Sequence, residues 1–224
     1  MRYQFAVGLA TGLVSATMAG CGGGNGPSVP PPPPTPQIAK ASTSGDDQIG
    51  VANATLPAPL RVSVTQNGAP VASKEVTWQV QNGGSVNPTT TTTGADGIAS
   101  TVVTLGNQPI MTITASSSGT GGSPVSFTAL AATAAATVQV TNNVFVPQTI
   151  AIRAGGRVTF NWPNGSSQHN LIPDDGKDRP NDPVVRNGPI TVDVTFPTAG
   201  DFFYHCSVHG STRSGMFGKV VVLP

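Results

Sequence analysis

Past its first sixty residues, this chain repeatedly places apolar side chains on every second position. Val62 and Val64 bracket Ser63, and Val76, Trp78 and Val80 alternate with Thr77 and Gln79, which is the period of a strand with one buried face. No stretch long enough for a buried helix repeats apolar residues at i, i+3, i+4 and i+7. Thr, Ser and Val are abundant and only 9% of residues are charged, a composition that suits extended structure better than helix. The chain is therefore expected to be all-β.

The first twenty residues follow a different rule. Arg2 gives a short basic start, residues 5–19 are mostly apolar, and small residues follow. The apolar run falls short of the roughly 20 residues that span a bilayer and reads as an export signal over residues 1–20. Its end, Met18-Ala19-Gly20-Cys21, resembles the lipobox of bacterial lipoproteins. The resemblance implies that Cys21 is acylated, becomes the mature N-terminus and tethers the chain to a membrane. Gly22 after it resembles lipoproteins sent to the outer membrane. An ordinary signal peptide would export the chain without the tether. Residues 21–37 form a Gly/Pro-rich linker, whose prolines at 30–34 favour an extended polyproline spacer. Of the 11 Lys and Arg, Arg2 leaves with the signal, so the remainder balances the 10 Asp and Glu. No basic stripe marks a nucleic-acid partner. With Cys21 acylated, Cys206 is the only other thiol, and a lone thiol in an exported protein asks for a purpose.

Short alternating runs at 60–64, 76–80, 98–105, 110–115 and 125–129 are separated by Asn67-Gly68, Asn82-Gly83-Gly84 and Asp96-Gly97, which tolerate the positive φ of tight turns. Residues 38–132 are thus expected to form a β-sandwich. This segment resembles the immunoglobulin-like domains of bacterial adhesins of the invasin and intimin type. The resemblance rests on Leu56-Pro57-Ala58-Pro59-Leu60, Gly68-Ala69-Pro70-Val71, Val76-Thr77-Trp78, Thr93-Gly94-Ala95-Asp96-Gly97-Ile98-Ala99 and Phe127-Thr128-Ala129. It holds no His and no Cys, and Trp78 is expected in its core. A spacer or interaction module is the implied role. Small residues at 131–136 connect it to a second domain at 137–224.

All three His residues fall in that second domain. His169 follows the strand-like run 157–162 and a turn at 163–167, His205 and His209 flank Cys206, and Met216 lies ten residues beyond the Cys. Two imidazoles, a thiolate and a weak thioether suit copper in both oxidation states, since soft sulfur favours Cu(I) and imidazole accommodates Cu(II). Neighbouring side chains on a strand face opposite ways, so His205 and Cys206 cannot readily address one ion. His209 can if the chain turns back after Cys206, and Gly210, Gly215 and Gly218 permit such a turn.

Residues 137–224 resemble the cupredoxins, the plastocyanin group in particular, on His169-Asn170-Leu171-Ile172, Tyr204-His205-Cys206-Ser207-Val208-His209 and Gly215-Met216-Phe217-Gly218-Lys219-Val220. The upstream frame of Phe145-Val146-Pro147 and 155–160 also fits. The resemblance implies a Greek-key β-barrel with one type 1 copper held by His169, Cys206, His209 and Met216. It also implies that Asn170 ties the two ligand segments together and orients the thiolate. The stretch between His209 and Met216 is two residues longer than in plastocyanins, which sets Met216 apart from the other three. Copper nitrite reductases and multicopper oxidases use a His beside the Cys to reach a second copper centre, but no further His remains here. His205 is therefore expected to be a solvent-facing or barrel-surface residue. The mixed-charge run at 174–186 reads as a solvated loop.

The implied protein is a membrane-anchored carrier of single electrons, not an enzyme. It would have redox proteins as transient partners and no small-molecule substrate, and would act as a monomer. Two other functions stay open: a copper-buffering surface lipoprotein, and an adhesin-like interaction protein in which copper is incidental.

Overall fold

A computed structural model describes residues 32–224. The export signal at 1–20, the lipidation site Cys21 and the first part of the 21–37 linker lie outside the described residues. Within them every regular element is a strand, as the alternation predicts, and Pro34–Pro224 is one compact unit.

The first lobe contains β1 (Gln37–Lys40), β2 (Gln48–Val51), β3 (Leu60–Gln66), β4 (Ala69–Pro70), β5 (Glu75–Gln81), β6 (Ser85–Asn87), β7 (Thr90–Thr92), β8 (Ile98–Thr104), β9 (Ile110–Ser116) and the start of β10 (Val125–Thr141). One sheet runs β1-β3-β8-β6 with β4 on β3, and the other carries β10-β9-β5-β7 with β2 parallel to β10. Leu60, Val62 and Val64 from the first sheet meet Val76, Trp78, Ile113 and Phe127 from the second in one apolar cluster. That is a sandwich whose inner faces are the apolar half of each alternation. Asn67, Gly68, Asn82, Gly83, Gly84 and Gly97 all have positive φ, so the turn residues sit where their backbone freedom is needed. Trp78 is buried, and its Nε1 donates to Thr91 Oγ1 at 2.8 Å.

The second lobe adds β11 (Val144–Val146), β12 (Thr149–Trp162), β13 (His169–Pro173), β14 (Asp182–Arg186), β15 (Ile190–Phe196), β16 (Gly200–Ser211) and β17 (Ser214–Leu223). β12 belongs to both of its faces. Thr149 to Arg153 pair in parallel with β17, whereas Gly156 to Trp162 pair antiparallel with β15. The corner falls at Gly155, with φ +79°, and at Gly156, where a Cβ would lie 2.7 and 2.9 Å from the carbonyl oxygens of Arg153 and Ala134. A strand that changes sheets at such a corner wraps the lobe around its core, here Val138, Phe160, Trp162, Leu171, Phe196, Tyr204, Cys206 and Val220.

The small-residue connector at 131–136 is itself strand. β10 runs unbroken through it, paired first with β9 and then in parallel with β12, with a register shift between Thr133 and Ala135. The segment has no Gly, Pro or Asn to stop a strand, and backbone partners on both lobes outweigh alanine's modest strand preference.

Candidate metal centre

His169 opens β13, directly after Gln168, whose φ is +58°. That turn brings the imidazole inward beneath the end of the lobe, where it is fully buried. Cys206 lies on β16 among the inward residues Phe202 and Tyr204, in the alternation expected of a strand.

His209 reaches the same place through a bulge. β16 and β17 pair regularly up to His205 opposite Phe217 and again from Gly210 opposite Gly215. Between those pairs β16 holds Cys206, Ser207, Val208 and His209, while β17 holds only Met216. The extra residues buckle the strand and re-aim its side chains. The chain thus does not leave the sheet after Cys206 to turn back; β16 continues through the buckle to Ser211. A Cβ on Gly210 would lie 2.7 Å from both backbone N and O of Met216, so the close strand approach beyond the buckle requires glycine.

The three ligand-type atoms face one another. His169 Nδ1 is 3.8 Å from Cys206 Sγ, His209 Nδ1 is 3.7 Å from the same sulfur, and the two Nδ1 atoms are 3.1 Å apart. The circle through these atoms has a radius of about 2.1 Å, within the 2.0–2.3 Å that nitrogen and thiolate keep from a bound metal. His169 Nε2 is sealed in the core with no hydrogen-bond partner among the described residues, so Nδ1 is the ring nitrogen that faces the cluster. Burial, and then the neighbouring His209, lower the pKa of His169, which favours the neutral ring a metal requires. The cluster of His169, Cys206 and His209 is compatible with a bound copper ion. His209 is its least buried member.

Met216 is 1% exposed and joins the same apolar cluster as Cys206 and Tyr204. Its place, alone opposite the buckle, puts it next to the ligand segment. Asn170 bridges the two ligand strands. Its Nδ2 donates to Ser207 Oγ at 2.9 Å and to Pro183 O at 3.2 Å, while its Oδ1 accepts from Ser207 N at 2.9 Å. The residue after His169 is thus bonded to the residue after Cys206.

Beside the site one expectation is narrowed and another fails. His205 does not face solvent: its side chain is 15% exposed and its Nδ1 donates to Asp174 Oδ1 at 2.6 Å. Asp174, which begins the run read as a solvated loop, is 3% exposed. The reason is the pairing of β13 with β16, Ile172 opposite His205 and Pro173 opposite Tyr204. It lays the turn after β13 across the outer face of β16. Asp182, later in the run, is also buried, holding Arg186 at 2.9 Å. The one signal available in advance was position, since Asp174 directly follows the His169 strand.

No protein-family model and no curated protein matches the chain. Solved structures do match in part. A Sinorhizobium pseudoazurin shares 23% identity over 40% of this chain and 74% of its own, with a TM-score of 0.30. Auracyanin from Roseiflexus castenholzii shares 18% over 42% of this chain and 99% of its own, with a TM-score of 0.30. The D0–D1 domain of intimin shares 14% over 84% of this chain and 97% of its own, with a TM-score of 0.35. The neighbours thus include cupredoxins and immunoglobulin-like adhesin domains, at low similarity and partial coverage. What the site can hold follows from its own geometry.

Proposed function

We propose that the second lobe is a type 1 copper centre that passes single electrons between redox proteins. The observation that carries this reading is the facing triangle of His169 Nδ1, His209 Nδ1 and Cys206 Sγ, a donor set that suits trigonal copper with a weak axial thioether. Copper bound there supplies a one-electron Cu(II)/Cu(I) couple. The chain's part is to keep that triangle still: Cys206 is fixed by a buried strand, His169 by the turn at Gln168, and His209 by the buckle in β16. A ligand set that does not rearrange keeps the cost of changing oxidation state small. Met216, which alone faces the buckle from β17, would be the residue to offer a weak thioether to the ion. His209, nearest to solvent, is the exit for the electron, and the partners are redox proteins met through small, transient interfaces.

The remaining parts of the proposal concern placement. The chain is exported, anchored through Cys21 to the outer membrane, and acts as a monomeric carrier without catalysis, with the first lobe as a riser. The test is visible absorption after the metal-stripped soluble chain takes up Cu(II). An intense band from the thiolate is expected, and Cys206→Ser should abolish it while leaving the fold intact by circular dichroism. A colourless wild type, or a coloured Ser variant, would exclude this centre. A reversible couple in voltammetry separates a carrier from a copper buffer.

A further inference from the structure

Cys206 is braced on both sides. Ser207 is held by Asn170. On the other side His205 is held by Asp174, a carboxylate lodged where it is hard to keep. Asp174 is almost fully buried, and its Oδ2 meets no hydrogen-bond partner among the described residues. A buried carboxylate left partly unmet costs stability relative to an apolar side chain of similar size. What it adds is direction. Its Oδ1 accepts from His205 Nδ1 at 2.6 Å and from Thr212 Oγ1 at 3.4 Å, and its backbone N donates to Phe203 O at 2.9 Å. Asp175 next to it pairs with Arg213, whose guanidinium lies 4.2 Å from the Phe203 ring centre.

One residue therefore joins three segments: from the end of the strand that carries His169, its carboxylate reaches the residue before Cys206 and the turn between β16 and β17 that follows His209. We propose that Asp174, with His205 and Thr212, is a latch that sets the shape of the Cys206–Met216 segment before any metal arrives. Asp174 and His205 are positioning residues, acting through Cys206 and His209 rather than touching the ion. The extended segment between His209 and Met216 is where such a latch is needed, because a longer connection has more shapes to exclude. Of its bonds the His205 pair dominates, being short, charge-assisted and shielded from water. The Asp175–Arg213 pair is exposed and adds little alone.

As a statement about copper, the inference rests on the proposed centre; as a statement about the segment, it does not. The test therefore has two arms. In the metal-free chain, amide hydrogen exchange across residues 207–215 is compared between wild type, Asp174→Asn and Thr212→Val, with β5 of the first lobe as the internal reference. Asp174→Asn should speed exchange in 207–215 by about tenfold or more, and Thr212→Val by less, with β5 unchanged. In the Cu(II)-loaded chain, Asp174→Asn should shift the thiolate band and the reduction potential, and His205→Gln, whose amide can still donate to Asp174, should stay closer to the wild-type values than Asp174→Asn does. Exchange in 207–215 within about twofold of wild type in both variants would overturn the latch. A wild type that takes up no copper but loses loop protection in Asp174→Asn would sink the centre and leave the latch standing. If Asp174→Asn does not fold, Thr212→Val, which spares the buried pair, decides: no change in its loop exchange overturns the proposal.

Discussion

At the scale of single residues, Tyr204, two positions before Cys206, is closely packed on every side. The ring is fully buried, stacks edge-on against Phe145 and Phe160 at 4.8 and 5.3 Å between centroids, and its hydroxyl has no hydrogen-bond partner among the described residues. Burial accordingly pushes the phenol pKa up. Gly218 lies opposite it in register, and a Cβ there would overlap Tyr204 Cζ and Oη. Gly218→Ala should therefore cost about 1–3 kcal/mol by overpacking, read from the urea midpoint. Tyr204→Phe removes an unmet hydroxyl and part of the obstacle at once, so it should be close to neutral alone and should recover stability in the Gly218→Ala background. An additive double variant would show that the glycine is needed for some other reason. What could be read in advance at this scale was residue type and spacing: Cys206, His209 and Met216 stand in a recognisable order. The burial of Asp174 could not be read, because it depends on which strand the turn after β13 is laid against.

At the scale of elements, departures from regular strands do the positioning. The buckle in β16 and the corner in β12 leave little trace in a period-two pattern, which reports which face is buried but not where an extra residue is lodged. The strands of the first lobe were legible for the converse reason: alternation there is regular and bounded by Asn and Gly. Short elements such as β1 escaped that reading, and β1 is secured by an ionic contact. Asp46 pairs with Lys40 of β1, and its Oδ1 accepts from Thr128 N of β10 at 2.8 Å, so one carboxylate joins the two sheets. Burial raises the pKa of Asp46, but the Lys40 bond and then the Thr128 and Asp47 amides outweigh it and hold the carboxyl below its usual range. A depressed folded pKa contributes stability above the unfolded value of about 3.9, and that contribution is lost as pH falls through the folded value. Asp46→Asn should thus lower the urea midpoint at neutral pH, and the gap to wild type should narrow below about pH 4. A gap that stays constant down to acid pH would mean the carboxylate's charge contributes nothing.

At the scale of the whole molecule, the question is whether the first lobe merely spaces the second or fixes it. Two domains joined by a linker move independently by default. Here β10 enters the first core with Phe127 and Ala129 and the second with Val138 and Val140, without leaving extended geometry. Ala132, Ala151 and Val221 form a third apolar cluster at the join, with Ile49, Leu130 and Leu223 packed on it. Arg153 Nη2 also donates across it to Ala52 O at 3.1 Å. The cluster is small, so burial alone would not hold the lobes together. The shared strand changes that, because bending it would break its parallel ladders to β2 and β12 on either side. The lobes should therefore tumble as one body, with a single rotational correlation time for amides of β5 and β17 in NMR relaxation. Inserting Gly-Ser-Gly-Ser after Ala132 should give the lobes two different times while each keeps its own core. Two correlation times in the wild type would mean that β10 hinges. A single time even in the insertion variant would mean that contacts at the join, rather than the strand, hold the riser stiff.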